Sequence, residues 1–206
     1  MKEDSTALMM IVDCSGSMSS IWQESEEAMN SLIEEQKELP GSILIKIVEF
    51  NQQVKSKPLV NSKDFTKWKL LPSGLTALHD AIGVGIDELG KELAGLTEDE
   101  RPASVIVAIM TDGLENASQE YSASKIKEMI SHQKEVYNWE FIFLGANQDA
   151  VVTAGSYGIG ASSSMTFAAS PEGVTNSVAA TSRYMSNTRS GLVAGFSDDD
   201  RDKSMG

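Results

Sequence analysis

Thiol, imidazole and positive charge are all scarce in this sequence. It has one cysteine, Cys14, and two histidines, His79 and His132. A lone cysteine excludes an intramolecular disulfide framework. Two histidines and one cysteine are too few for an ordinary structural zinc site. Lysine and arginine number 17 against 30 aspartates and glutamates, for a formal net charge of -13. Such a chain repels nucleic acid and anionic membrane surfaces, so neither is expected as a partner. No apolar run approaches the ~18 residues of a membrane helix. The polar start, Met1 to Thr6, is followed by an apolar run too short for a signal peptide core, so a cytoplasmic protein is expected. With 41% hydrophobic and 23% charged residues, the 206-residue chain reads as one globular α/β domain with a full core.

The stretch that stands out is Leu8 to Met18. Five apolar residues, Leu8 to Val12, end in Asp13-Cys14-Ser15-Gly16-Ser17. A short apolar run bounded by turn residues reads as a buried strand. Asp13 to Ser17 then form the loop at its C-terminal end, the edge where open α/β sheets bind ligands. Gly16 lets the loop turn tightly, so that both hydroxyls can approach the carboxylate. Three small oxygen donors suit a hard cation such as Mg2+. The same residues would equally serve as a helix cap.

The rest of the chain alternates between strand and helix patterns. A helix is expected over Ile21–Gln36, its glutamates forming a solvated face. A strand follows over Ser42–Phe50. Asn51-Gln52 reads as a two-residue turn into an antiparallel strand, Gln53–Val60. The connection Asn61–Ser73 should pack Trp68, Leu70 and Leu71 on the sheet edge. A helix over Ala77–Leu93 contains Gly83 and Gly85, which suggest close packing on the sheet. Ser104–Met110 and Trp139–Leu144 read as buried strands, with a helix over Ser122–Glu135 between them. A short helix, Gln148–Ala154, and a short strand, Ser164–Ala168, come next. Ser170-Pro171-Glu172 opens a last helix that runs to about Asn187. The expected fold is a doubly wound, mostly parallel six-stranded sheet with one antiparallel edge strand and helices on both faces. Residues 1–191 form the domain, and 192–206, with Asp198 to Asp202, read as a weakly ordered polar acidic tail.

Three loops at strand ends or helix starts thus carry short oxygen side chains: Asp13, Ser15 and Ser17; Thr76; and Thr111-Asp112. In a doubly wound sheet the first strand neighbours the one that ends in Asp112. Two carboxylates brought close repel unless a cation lies between them. The hydroxyls of Ser15, Ser17 and Thr76 would complete an all-oxygen, octahedral shell.

As a set, these residues resemble the von Willebrand factor type A (vWA) domain and its metal-ion-dependent adhesion site (MIDAS). That family's D-x-S-x-S, distant T and distant T-D-G are met by Asp13-Cys14-Ser15-Gly16-Ser17, by Thr76 and by Thr111-Asp112-Gly113. The resemblance implies a Rossmann-like vWA fold and a metal site made of Asp13, Ser15, Ser17, Thr76 and Asp112. In most family members the serines bind the metal directly, the threonine directly or through water, and the two aspartates hold metal-bound waters. The resemblance further implies Mg2+ as the cation, with Mn2+ or Ca2+ as alternatives, and an open position for an Asp or Glu of a partner protein. Thr76 to Ala81 and Thr111 to Asn116 look more like intracellular bacterial or phage members than extracellular adhesion domains.

Two other functions are open to such a chain. A metal-dependent phosphatase or nuclease would need a general base or second metal, and no His or Lys is placed to supply one. No catalytic residues or organic cofactor are therefore expected. The acidic tail could instead ligate the metal of a second copy, although a monomer is the expected state. Cys14 should point into the core, His79 and Asp80 should support their loop, and Glu115 and Asn116 should be rim or ordinary loop residues.

Overall fold

Strand β1, Lys2–Asp13, is the middle of the molecule, and the computed structural model describes residues 2–206. Ala7 to Val12 are apolar without interruption and each is at most 1% exposed. A strand covered on both faces needs such a run. Alternation sends Leu8, Met10 and Val12 to one face and Ala7, Met9 and Ile11 to the other.

Strands β2 (Ser42–Phe50) and β5 (Pro102–Thr111) flank β1, both parallel to it. β6 (Glu140–Ala146) and β7 (Ser164–Phe167) extend the sheet in parallel beyond β5. On the far side, β3 (Val54–Ser56) and β4 (Val60–Asn61) both pair antiparallel with β2. The sheet therefore has seven strands. The single antiparallel strand expected over Gln53–Val60 is split around Pro58, which has no N–H to give to a ladder. Its turn also has three residues, because Phe50 pairs with Val54 and the Asn51 side chain accepts from the Gln53 N–H at 2.9 Å.

Helices α1 (Trp22–Glu38) and α5 (Pro171–Arg189) cover the Leu8 face with Met29, Leu32 and Ile33, and with Val174, Val178 and Met185. Helices α2 (Leu78–Gly95) and α3 (Ala123–Tyr137) cover the other face, joined by the short α4 (Ala150–Ser156). Gly85 does lie against the sheet: a Cβ there would sit 3.1 Å from Met9 Sδ. Gly83 does not, because its face is taken by the Tyr121 ring.

The connection after β4 is irregular and pinned to α1. Asn30 accepts from the Trp68 N–H and donates to the Trp68 carbonyl, both at 2.9 Å, and Glu26 accepts from Leu70 N–H at 2.8 Å. Trp68 and Leu70 are buried as expected, but Leu71 is 78% exposed.

The C-terminal stretch corrects another expectation. Asp198–Met205 form a helix, α6, instead of a weakly ordered segment. Ser197 and Asp200 build a reciprocal capping box at its start. Ser204 O accepts from Ala168 N–H at 2.9 Å, and Arg201 donates to the carbonyls of Ser164 and Ala161. Asp199 pairs with Lys203 and Asp200 with Arg183, so these acids are held within the chain instead of lying on a free arm. Among the described residues no helix is long and apolar enough to cross a membrane.

Candidate metal centre

The C-terminal ends of the two central strands meet at Asp13. This carboxylate is fully buried. Its Oδ1 accepts from Ser15 N–H at 2.7 Å, and its Oδ2 accepts from the Thr111 hydroxyl at 2.6 Å. One side chain thus ties the end of β1 to the end of β5. Gly16 N–H donates to Gly74 O at 3.0 Å and Ser73 N–H to Cys14 O at 2.8 Å, which draws the segment before Thr76 onto the same loop.

The hydroxyls follow from this backbone. Ser15 Oγ and Ser17 Oγ are 3.0 Å apart, and Ser17 donates to Asp112 Oδ1 at 2.6 Å. Thr76, 3% exposed, is fixed by its backbone: its N–H donates to Asn116 Oδ1, and its carbonyl accepts from the N–H groups of Asn116 and Ala117. A Cβ at Gly113 would fall 2.9 Å from Thr76 Oγ1 and 3.5 Å from Ser17 Oγ. The structure therefore brings Asp13, Ser15, Ser17, Thr76 and Asp112 into one place, in a cradle left free by the missing Gly113 side chain.

The electrostatics of the cradle favour a cation. Burial pushes the Asp13 carboxyl above its ordinary value, despite hydrogen bonds from Thr111 and Ser15, and the Asp112 charge adds to this. Burial likewise raises Asp112, against the hydrogen bond from Ser17. Both anions are thus left short of stabilisation, as expected where a positive ion belongs. Neighbouring ligands on an octahedral Mg2+, with bonds of about 2.1 Å, lie about 3.0 Å apart; the two serine oxygens have that separation. Among the described residues no three His, Cys, Asp or Glu side chains gather as a metal cluster. The donor set instead consists of hydroxyls plus two carboxylates, which suits a hard cation.

Supporting residues surround the cradle. Cys14 is buried and its thiol is pushed up to about 12, first by burial and then by the charges of Glu49 and Asp13, which disfavours the thiolate. Asp80 accepts from the N–H groups of Gln119, Glu120 and Tyr121 and straps the loop after Asp112 to α2. The His79 ring bonds Tyr157 Oη at 3.0 Å. Thr111 and Asn116 act as positioning residues, a role the sequence does not assign to them: there Thr111 reads as one of the converging oxygen side chains, and Asn116 as a rim or ordinary loop residue. Thr111 ties itself to Asp13, and Asn116 faces Thr76, 40 positions earlier, a pairing that only the fold reveals.

Glu115 folds its own loop. It accepts from the N–H groups of Ala117, Ser118 and His79 and from the Ser118 hydroxyl, at 2.7–2.9 Å. Burial pushes its carboxyl up, but these bonds outweigh burial and leave it below its ordinary value. A depressed carboxylate stabilises the fold above its unfolded value of about 4.3 and loses that contribution as pH falls through the lower folded value. Glu115→Gln should be less stable at neutral pH by about 1–2 kcal/mol. The deficit should close on acidification from about pH 5 to 3. Thermal melts across that range check this; a deficit that stays constant with pH would exclude the ionised carboxylate as its source.

No protein-family model matches the chain, and no curated protein is similar to it in sequence. Solved structures are similar in fold. A von Willebrand factor type A protein from Catenulispora acidiphila gives a TM-score of 0.63 at 14% identity, over 88% of this chain and 42% of that one. The vWF domain of the type V pili tip protein Mfa5 from Porphyromonas gingivalis gives 0.65 at 8% identity, over 94% and 98%. Proximal thread matrix protein 1 from the mussel byssus, with its MIDAS motif occupied by zinc, gives 0.60 at 13% identity, over 88% and 46%. The chain spans less than half the length of the Catenulispora and mussel structures. At these identities the likeness establishes the fold, which is that of vWA domains.

Proposed function

We propose that Asp13, Ser15, Ser17, Thr76 and Asp112 hold one divalent cation, and that this centre binds an acidic side chain of a partner protein. The convergence of these five side chains around the Gly113 cradle carries the reading. The zinc at the MIDAS motif of the mussel protein supports a metal at the equivalent kind of site. When bound, the cation supplies positive charge that hydroxyl donors leave largely unquenched, and so attracts a carboxylate. The chain's own contribution is position. Asp13 is locked between Ser15 N–H and Thr111, and Thr76 is locked by Asn116, so the donors are arranged before any partner arrives. Mg2+ is the proposed ion, because small neutral oxygen donors match a hard cation.

Binding is proposed in preference to hydrolysis. Asp13 is engaged by Ser15 and Thr111, Asp112 accepts from Ser17 through Oδ1, and the His79 ring is engaged with Tyr157, so none of these groups is poised as a free base beside the donors. A cytoplasmic location and a monomeric state belong to the same proposal and rest on the sequence. The test is a pull-down in Mg2+ against EDTA, repeated with Asp112→Ala. A partner should be retained in Mg2+ and lost in both other arms. Retention that is indifferent to EDTA would refute metal-dependent binding.

A further inference from the structure

Charge is unevenly spread along this acidic chain. Residues 55–69 hold five lysines, Lys55, Lys57, Lys63, Lys67 and Lys69, against one acid, Asp64. That segment carries net +4 in a chain of net -13, so the remainder carries -17. Lys57 is used internally: it pairs with Glu49 Oε1 at 2.5 Å, and the same oxygen accepts from Trp68 Nε1 at 2.6 Å. Among the described residues the other four lysines make no ion pair, and all four are exposed.

Two of these lysines, Lys55 and Lys69, border a cavity of about 270 Å³ whose lining also includes Cys14, Asn51, Leu71 and Ser73. Cys14 lies between Asp13 and Ser15, and Ser73 N–H bonds its carbonyl, so the cavity adjoins the metal centre. Its one acid, Glu49, is already neutralised by Lys57. Leu71, 78% exposed, stands at its side. Lysines on an edge strand also keep sheets from pairing edge to edge, which would explain Lys55. It does not explain Lys63, Lys67 and Lys69, which lie in the irregular strap beyond β4.

We propose that this groove receives the acidic flank of the partner segment whose carboxylate occupies the metal centre. Further Asp or Glu residues of that segment face Lys55 and Lys69, and an aliphatic residue covers Leu71. The proposal rests on the metal-dependent reading above. A short acidic peptide fits the patch. A long polyanion would overrun it onto the acidic remainder of the surface, where repulsion acts within a screening distance of about 8–10 Å.

The test uses fluorescein-labelled decapeptides, one with a central Asp flanked by acids and leucine, the other with that Asp alone among glutamines. Binding to the whole chain is read by polarisation, with Mg2+ or EDTA, for native protein, K55E/K69E and Ser15→Ala. The acid-flanked peptide should bind native protein about tenfold tighter at low salt. K55E/K69E should erase that advantage and leave Mg2+ uptake and single-acid peptide binding unchanged. An advantage that survives K55E/K69E overturns the proposal. So does an oligothymidylate that binds native protein as tightly as the acidic peptide, or a dimer of this chain that the variant dissolves. Lysine-dependent binding that ignores EDTA and Ser15→Ala would remove the metal reading and leave the patch. Binding lost in EDTA but untouched by K55E/K69E would remove the patch and leave the metal.

Discussion

Gly113→Val should lower Mg2+ affinity at least ~100-fold, roughly 2.7 kcal/mol, while the fold persists. The glycine is not needed for its backbone, because its φ is not in the left-handed region. It is needed for space: the first side-chain carbon alone would reach 2.9 Å from Thr76 Oγ1. The Thr76 backbone is fixed, since its N–H and carbonyl are both held by the 116–117 backbone and the Asn116 side chain, so relief comes by χ1 rotation, which carries the hydroxyl away from the other donors. Valine adds two further methyls to the same spot, where they displace either the hydroxyl or the ion. Gly113→Ala should show a smaller loss in the same direction. Calorimetric titration with MgCl2, beside a circular dichroism spectrum, measures both quantities. Native-like uptake by Gly113→Val would mean that no ion sits among these side chains.

Gly173→Ala should be the most damaging single methyl in the molecule's C-terminal half. Gly173 is in the first turn of α5, and its N–H donates to the Ser170 cap. An added Cβ would lie 2.2 Å from Ala168 O and 3.0 Å from Ser204 O. Both are backbone atoms, so no rotamer change relieves the overlap. The helix start must move, and with it the bond from Ala168 N–H to Ser204 O that docks α6. A cost of about 3 kcal/mol is expected. For a chain of this size that lowers Tm by about 6–12 °C. Gly90→Ala is the control, because nothing lies within 4 Å of its would-be Cβ. It should be neutral or stabilising by up to about 1 kcal/mol. Equal melting of the two variants would show that the α5 start can shift freely.

The contrast between those glycines shows what a sequence can display. Asp13, Ser15, Ser17, Thr76 and Asp112 were legible because each closes, follows or, in the case of Thr76, immediately precedes a strongly patterned element, so that order along the chain implied proximity in space. β1 and β5 were legible because uninterrupted apolar runs have few other uses. Helix α6 was not, since it has no apolar stripe: among its residues only Ser204 is buried, and its anchorage is polar, through the Ala168–Ser204 backbone bond and the Arg201 side chain. The spacing of Ser197 and Asp200 did carry a capping signal, which periodicity does not detect. The reason for Gly83 was hidden for a different cause. Its neighbour Tyr121 comes from a loop 38 positions away, placed there by Asp80. Pro58 marked the break between β3 and β4 in plain sight, but only the register shows that both halves return to β2.

The placement of β1 has a consequence for synthesis. Its second neighbour is encoded far downstream, with Thr6 aligned to Ser104. At about 5–20 residues per second, a ribosome needs on the order of 5–20 s to supply that neighbour. Throughout that interval the apolar run of β1 has at least one flank uncovered in the nascent chain. Translation stalled before residue 102 would release a polypeptide that chaperones must shield, whereas a stall after β5 would release one whose centre is already closed.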